Sequence, residues 1–163
     1  MEFIEQVIAL FGYSPDTKEL SAFLDEHNIR ERPEYDPNDG TPMIWIEKKD
    51  QGYILQFGMA SDFKDDRGPT FGVGAMVLEG VRLHGSLNSN GYAAFKEKLP
   101  FGLNFGLNAD EIINELGQPD FVSAPEKPKR IMQWKNVNNF EVGIMLTSDF
   151  KYMNYLDVWP SRR

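Results

Sequence analysis

Residues 108–119, "NADEIINELGQP", mark out a helix at both ends. Asn108 suits the N-cap, and Glu111 three residues later completes a capping box. Ile112, Ile113 and Leu116 fall on one side of the helix, Gly117 stops it and Pro119 prevents its resumption. A helix this short is not stable alone and needs a surface on which to bury its apolar stripe. The lead into it, "LPFGLNF" from Leu99, is tight, apolar and glycine-bearing, and reads as a hinge. The whole unit, "LPFGLNFGLNADEIINELGQPD", therefore sets a short helix against a sheet.

The rest of the chain supplies sheet and further short helices. "EFIEQVIALF" from Glu2 has Phe3, Val7 and Leu10 at helical spacing, with Gly12 as its stop. A second helix is predicted after Ser14 as N-cap and Pro15 as first helical residue, with Leu20, Phe23 and Leu24 as its buried stripe. A polar, proline-rich loop, "RERPEYDPNDGTP", leads into "MIWIEKKDQGYILQFG", which reads as a hairpin turning at "KKDQG". "ASDFKDDRGPTFG" is expected to be a second acidic loop. "VGAMVLEGVRLHG" reads as a strand, or as two with a break at Gly80. "SNGYAAFKEKL" fits a short helix or an irregular linker. Beyond a loop holding Pro125 and Pro128, "IMQWKNV" and "FEVGIMLT" pair as strands, and "YMNYLDVW" is a last strand ended by Pro160.

The two parts of the chain run in the same order: helix, proline-bearing loop, tryptophan strand, aliphatic strand, third strand. "ELSAFLDEHNI" aligns with "EIINELGQPDF", matching Leu20 to Ile112 and Leu24 to Leu116. "IWIE" with Trp45 answers "QWKN" with Trp134. The pattern predicts an α+β fold of two similar tandem halves, residues 1–98 and 99–163, each a helix on a small antiparallel sheet. The halves would pack closely, as two units or as one domain. Trp45, Trp134 and Trp159 are assigned to the core, an interface anchor being the other use of such a residue.

Chemistry is sparse. The chain has 163 residues and no cysteine, which removes disulfides, thiolate metal sites and cysteine nucleophiles. His27 and His84 are the only histidines and share no motif, so neither a triad nor a three-ligand metal site is in view. The serines, Ser89 among them, include no nucleophile elbow. "TFGVGAMVLEGV" lacks the glycine spacing of a dinucleotide loop, and β-prone residues follow Gly74. "DPNDG" from Asp36 puts glycine one place too early for an EF-hand, and a turn accounts for it. No enzyme, cofactor or metal is expected.

The formal charge is −8. Such a surface repels phosphate backbones and attracts basic partners, so nucleic acid is not an expected ligand. The first residues lack the basic start of a secretory signal, and no apolar run approaches the ~20 residues of a membrane span, so the cytoplasm, without a membrane partner, is expected.

The "LPFGL…LGxP" stretch, residues 99–119, resembles a recurring line in the immunity proteins of bacterial polymorphic toxin systems, delivered by contact-dependent or type VI secretion. Its helix and "LGxP" part is also similar to the often tandem repeat of beta-lactamase-inhibitor-protein-like folds. The match is clear over 99–120 and vaguer through Trp159. It brings no catalytic residues. It implies a cytoplasmic immunity protein that neutralises a cognate, basic toxin domain by occlusion. The alternative is another non-catalytic binding or scaffold module, with a protein or small-ligand partner. Two acidic segments would carry binding: Glu34, Tyr35, Asp36 and Asp39 in one, Asp62, Phe63, Asp65 and Asp66 in the other. Solvation alone also accounts for each of these charges.

Overall fold

The structure, a computed structural model, describes residues 1–40, 43–86, 88, 90–124 and 126–163. The readings placed on Ser89, on Pro125 and on the last two residues of the proline-rich loop lie outside the described residues.

Helices α1 (Phe3–Ala9) and α2 (Lys18–Glu26) open the chain. Strands β1 (Met43–Lys48) and β2 (Tyr53–Met59) form the expected hairpin. Helix α3 (Ala60–Asp66) and strand β3 (Met76–His84) follow. A linker, irregular over residues 90–108, then leads to helix α4 (Ala109–Leu116) and to strands β4 (Phe121–Val122), β5 (Arg130–Val137), β6 (Phe140–Leu146) and β7 (Met153–Pro160). The strands join in one antiparallel sheet of order β1-β2-β3-β7-β6-β5-β4. The fold is α+β, and the sheet runs unbroken through both parts of the chain because β3 pairs with β7.

One face of the sheet carries the main core. Leu55, Phe57, Val81, Leu83, Val142, Ile144, Leu156 and Val158 alternate along the central strands and meet Phe3, Val7, Leu20, Phe23, Leu24 and Ile112 from the helices. The alternation puts the residues between them on the other face. No helix of the described residues is long and apolar enough to cross a membrane.

The α4 unit forms as its residues dictate. The Asn108 side chain accepts the Glu111 N–H at 2.9 Å, and the Glu111 carboxylate accepts the Asn108 N–H at 3.2 Å. Gly117 closes the helix at φ +87°. In the lead, Leu103 N–H donates to Pro100 C=O at 3.2 Å across Phe101 and Gly102, both at positive φ.

Several expectations are corrected. The cap of α2 is Thr17, which accepts the Leu20 N–H, not Ser14. Ser14 instead donates to Asp16, whose carboxylate accepts the N–H groups of Val73 and Gly74. Residues 60–66 are helical rather than looped, because Phe63 gives the segment an apolar side to bury. Of the two readings of the segment around Gly80, the single strand holds: β3 runs through Gly80, and its Glu79 is the extra residue where Gln56 and Phe57 of β2 pair with Gly80 and Leu78. Of the two readings of "SNGYAAFKEKL", the irregular linker is the one that residues 90–99 adopt. Leu116 is only partly buried, while Ile112 is fully buried. Trp134 lies in the core at 3 % exposure, but Trp45 is 43 % exposed.

Candidate protein-interaction surface

The sheet face opposite the main core is built in rows by the strand register. One row runs Trp45, Gln56 and Gly80 across β1, β2 and β3, continues with the Trp159 indole of β7 against Gly80, and ends at Glu141, the β6 partner of Trp159. The next runs Glu47, Ile54, Arg82, Asp157 and Gly143, and a third joins His84 to Tyr155 and Met145. Cross-strand neighbours in such rows stand close enough to interlock.

Arg82 is the centre of this layer. Its Nε and Nη2 donate to the two carboxylate oxygens of Asp157 at 2.7 and 2.8 Å. Its guanidinium carbon lies 3.9 Å from the Tyr155 ring centroid and 5.1 Å from that of Trp45. Burial works against the Arg82 charge, but the hydrogen bonds and charge of Asp157 outweigh it and raise its pKa. The bidentate fork and the two rings hold the guanidinium in one plane. Trp45 therefore rests on a rigid support and is still exposed, with its Nε1 directed at the Met43 sulfur.

His84 lies beneath the linker. Tyr92 stacks on it with ring centroids 3.9 Å apart and planes 8° from parallel, and Tyr155 meets it edge-on. Neither ring nitrogen has a hydrogen-bond partner among the described residues. Burial, then the Arg82 charge, lowers the His84 pKa to about 4. The ring is neutral at pH 7 and serves as packing.

Trp159 spreads over two glycines. Its indole covers Gly80 and Gly143, and its Nε1 donates to Gln56 Oε1 at 2.7 Å. At the end of α3, Arg67 reaches onto this face. It pairs with Glu79 at 3.4 Å and Glu141 at 3.3 Å, and it also donates to the Pro160 carbonyl. That clip ties the end of α3 to β3, β6 and β7.

The acidic segments named from sequence come out at one end of the sheet. Residues 31–40 lead into the start of β1, and α3 leaves the end of β2, where Met43 pairs with Gly58. Glu34, Asp36, Asp39, Asp62, Asp65 and Asp66 are exposed. Asp36 accepts the Asn38 N–H in a local turn. Tyr35 is 42 % exposed and borders a shallow recess with Pro15, Pro33 and Met76. Phe63 is the exception: at 4 % exposure it packs into the core beneath Gly12 and cannot serve as a surface anchor.

Arg82, Tyr155 and Asp157 were not singled out from sequence, and Trp45 was assigned to the core, with the interface role it fits here as the other use. Their signal is the alternation in "VRLH" and "YLDVW", where polar and aromatic residues fall between aliphatic ones. The arrangement has no nucleophile–base pair, and among the described residues there is no cluster of histidine and carboxylate able to hold a metal ion. A tryptophan backed by arginine and tyrosine on a sheet face is instead the composition that dominates protein–protein hot spots. No family model, curated protein or solved structure matches the chain.

Proposed function

We propose that this chain is a non-catalytic protein-binding module: an immunity protein that neutralises a cognate basic toxin domain by covering it. The observation that carries the reading is the exposed Trp45, held on Arg82 and Tyr155, beside the end of the sheet from which both acidic segments emerge. The resemblance of residues 99–119 to immunity proteins and the net charge of −8 point the same way. Carboxylates at Glu34, Asp36, Asp39, Asp62, Asp65 and Asp66 steer a basic toxin and set its register, while aromatic surface at Trp45 and Tyr35 supplies burial. In this mechanism the acidic end lies over the toxin's substrate groove and mimics the charge of the substrate.

We read the strand order as two related units, β1-β2-β3 and β5-β6-β7, meeting at β3 and β7. The match then needs an offset of one residue. Trp45 and Trp134 fall on opposite faces of the sheet, and Ile46, which is buried, corresponds to Trp134. A one-residue slip is what exchanges the faces of a strand.

The test is charge reversal of Glu34, Asp36 and Asp39 together, and separately of Asp62, Asp65 and Asp66, with folding checked by circular dichroism. The partner is the toxin domain of a secreted protein encoded upstream. Slower, less salt-sensitive association of either triple variant is the expected result. Association of both at the wild-type rate and with the wild-type salt dependence removes the acidic mechanism. An upstream gene set for metabolism in place of a secreted toxin removes the immunity reading.

A further inference from the structure

The outer edge of β1 has a backbone direction that the pairing determines. His84 N–H donates to Gly52 C=O, so that carbonyl faces β3 and the backbone groups of the next residue, Tyr53, face β1; Lys49, one place beyond β1, directs its C=O off the sheet to Ala93 N–H. Tyr53, Leu55 and Phe57 are the register partners of Lys48, Ile46 and Ile44. The N–H and C=O groups of those three β1 residues are thus spent on β2. By the same alternation, Met43, Trp45 and Glu47 direct their backbone N–H and C=O groups off the sheet. None of these groups has a backbone partner among the described residues.

Proteins blunt free edges with short strands, bulges, proline or covering loops. The opposite edge follows that rule, since β4 has two residues. The linker covers the β1 edge only past its end, where Ala93 N–H donates to Lys49 C=O at 2.8 Å. From Met43 to Glu47 the edge is not blunted: β1 has six residues, pairs with β2 without a register shift and holds no proline. It also displays Met43 at 36 % and Trp45 at 43 % exposure. A straight edge with an exposed tryptophan is a template for another strand.

We infer that β1 is a strand-addition site, taken by an extended, basic segment of the protein partner. The inference rests on the protein-binding reading above and names its geometry. Charge selects the occupant. Exposed Glu34, Asp36 and Asp39 lead into β1, and Glu47, which bonds Tyr92 and lies 4.0 Å from the Lys49 ammonium, stands on the outward register two residues from Trp45. The carboxylates favour lysine or arginine at alternate positions of the incoming strand. One such cation rests on the free side of the Trp45 ring, opposite the side that Arg82 occupies. A second copy of this chain brings −8 against −8 and is disfavoured. Main-chain hydrogen bonds supply affinity in this mode, and side chains at alternate positions supply specificity.

The probe is a short acetylated and amidated peptide alternating arginine and valine, titrated to millimolar concentration and followed by amide chemical shifts. Two controls are the same peptide N-methylated throughout, and its glutamate-for-arginine counterpart. Shifts at Met43, Trp45 and Glu47 with the basic peptide are expected. Binding should weaken roughly tenfold or more on N-methylation, the equivalent of losing one or two hydrogen bonds. Glu47→Pro removes an outward N–H without touching the β1–β2 ladder and should weaken binding by a similar factor. Glu47→Gln should weaken it only a few-fold, in a salt-dependent way. No binding by the basic peptide, equal binding by the N-methylated or acidic peptide, or self-association through β1 overturns the proposal. Failure here with the charge-reversal result intact removes the edge and leaves the inhibitor reading standing. Peptide binding at β1 in a chain without a toxin partner does the reverse.

Discussion

Trp159 packs its indole directly against Gly80. A Cβ at that position would stand 2.5 Å from the indole Nε1 and collide with Cδ1, and it would approach the Gln56 side chain that accepts the Nε1–H. The glycine is therefore the floor on which the tryptophan sits.

Gly80→Ala should displace the indole and lose its bond to Gln56. We expect a loss of about 1–3 kcal/mol, the usual cost of forcing extra volume into a packed layer. A denaturant melt measures it, and tryptophan fluorescence should shift with it. An unchanged midpoint would mean that Trp159 moves freely.

Ile112, not Leu116, should be the costly truncation in α4. Ile112 is fully buried, so Ile112→Ala should destabilise by about 2–5 kcal/mol. Leu116 is partly buried at the end of the helix and should cost less. Equal midpoints for the two variants would mean that α4 sits on the sheet by a different face.

Gly117→Val should be harmful through the backbone alone. Nothing lies within 4 Å of a Cβ built there, yet φ is +87° and ψ −175°, a region that β-branched residues avoid. The Gly117 carbonyl also accepts the Trp134 Nε1–H at 2.9 Å, so the strain reaches a core tryptophan. A loss of about 1–3 kcal/mol is expected, and a wild-type melt would show that the helix end adjusts.

How far the fold was legible follows from where each signal lives. Local signals were read directly: the Asn108–Glu111 box, the Gly117 stop and the turn between β1 and β2 each depend on neighbouring residues. The helix over residues 60–66 was missed because its acids dominate the text, while the one residue that anchors it, Phe63, counts only once a core exists to receive it. The sheet layer around Arg82 was missed for a different reason. Asp157 and Tyr155 lie more than seventy positions from Arg82 in the chain, and only the pairing of β3 with β7 brings them together. The tandem alignment matched tryptophan to tryptophan because identity is visible in sequence and facing is not.

Stability should depend on pH through His84. Its pKa is lowered from 6.5 to about 4 in the folded state, so between those values the unfolded chain takes up a proton that the folded chain refuses. This contribution is complete above pH 6.5 and is lost as the pH falls towards 4, amounting to about 3 kcal/mol at about 1.4 kcal/mol per unit. His84→Phe keeps a ring under Tyr92 and should flatten that slope in melts taken from pH 7 to 4. An identical slope in both proteins would assign the effect elsewhere.

The most direct measurement is amide hydrogen exchange, read residue by residue, on the chain alone and in complex with the upstream-encoded toxin domain. The account predicts fast exchange at Met43, Trp45 and Glu47 in the free protein, because their N–H groups face solvent. In the complex it predicts protection of roughly tenfold or more at those amides, with α1 and α2 unchanged. Protection confined to the helices, with the β1 edge exchanging as fast as before, would contradict it.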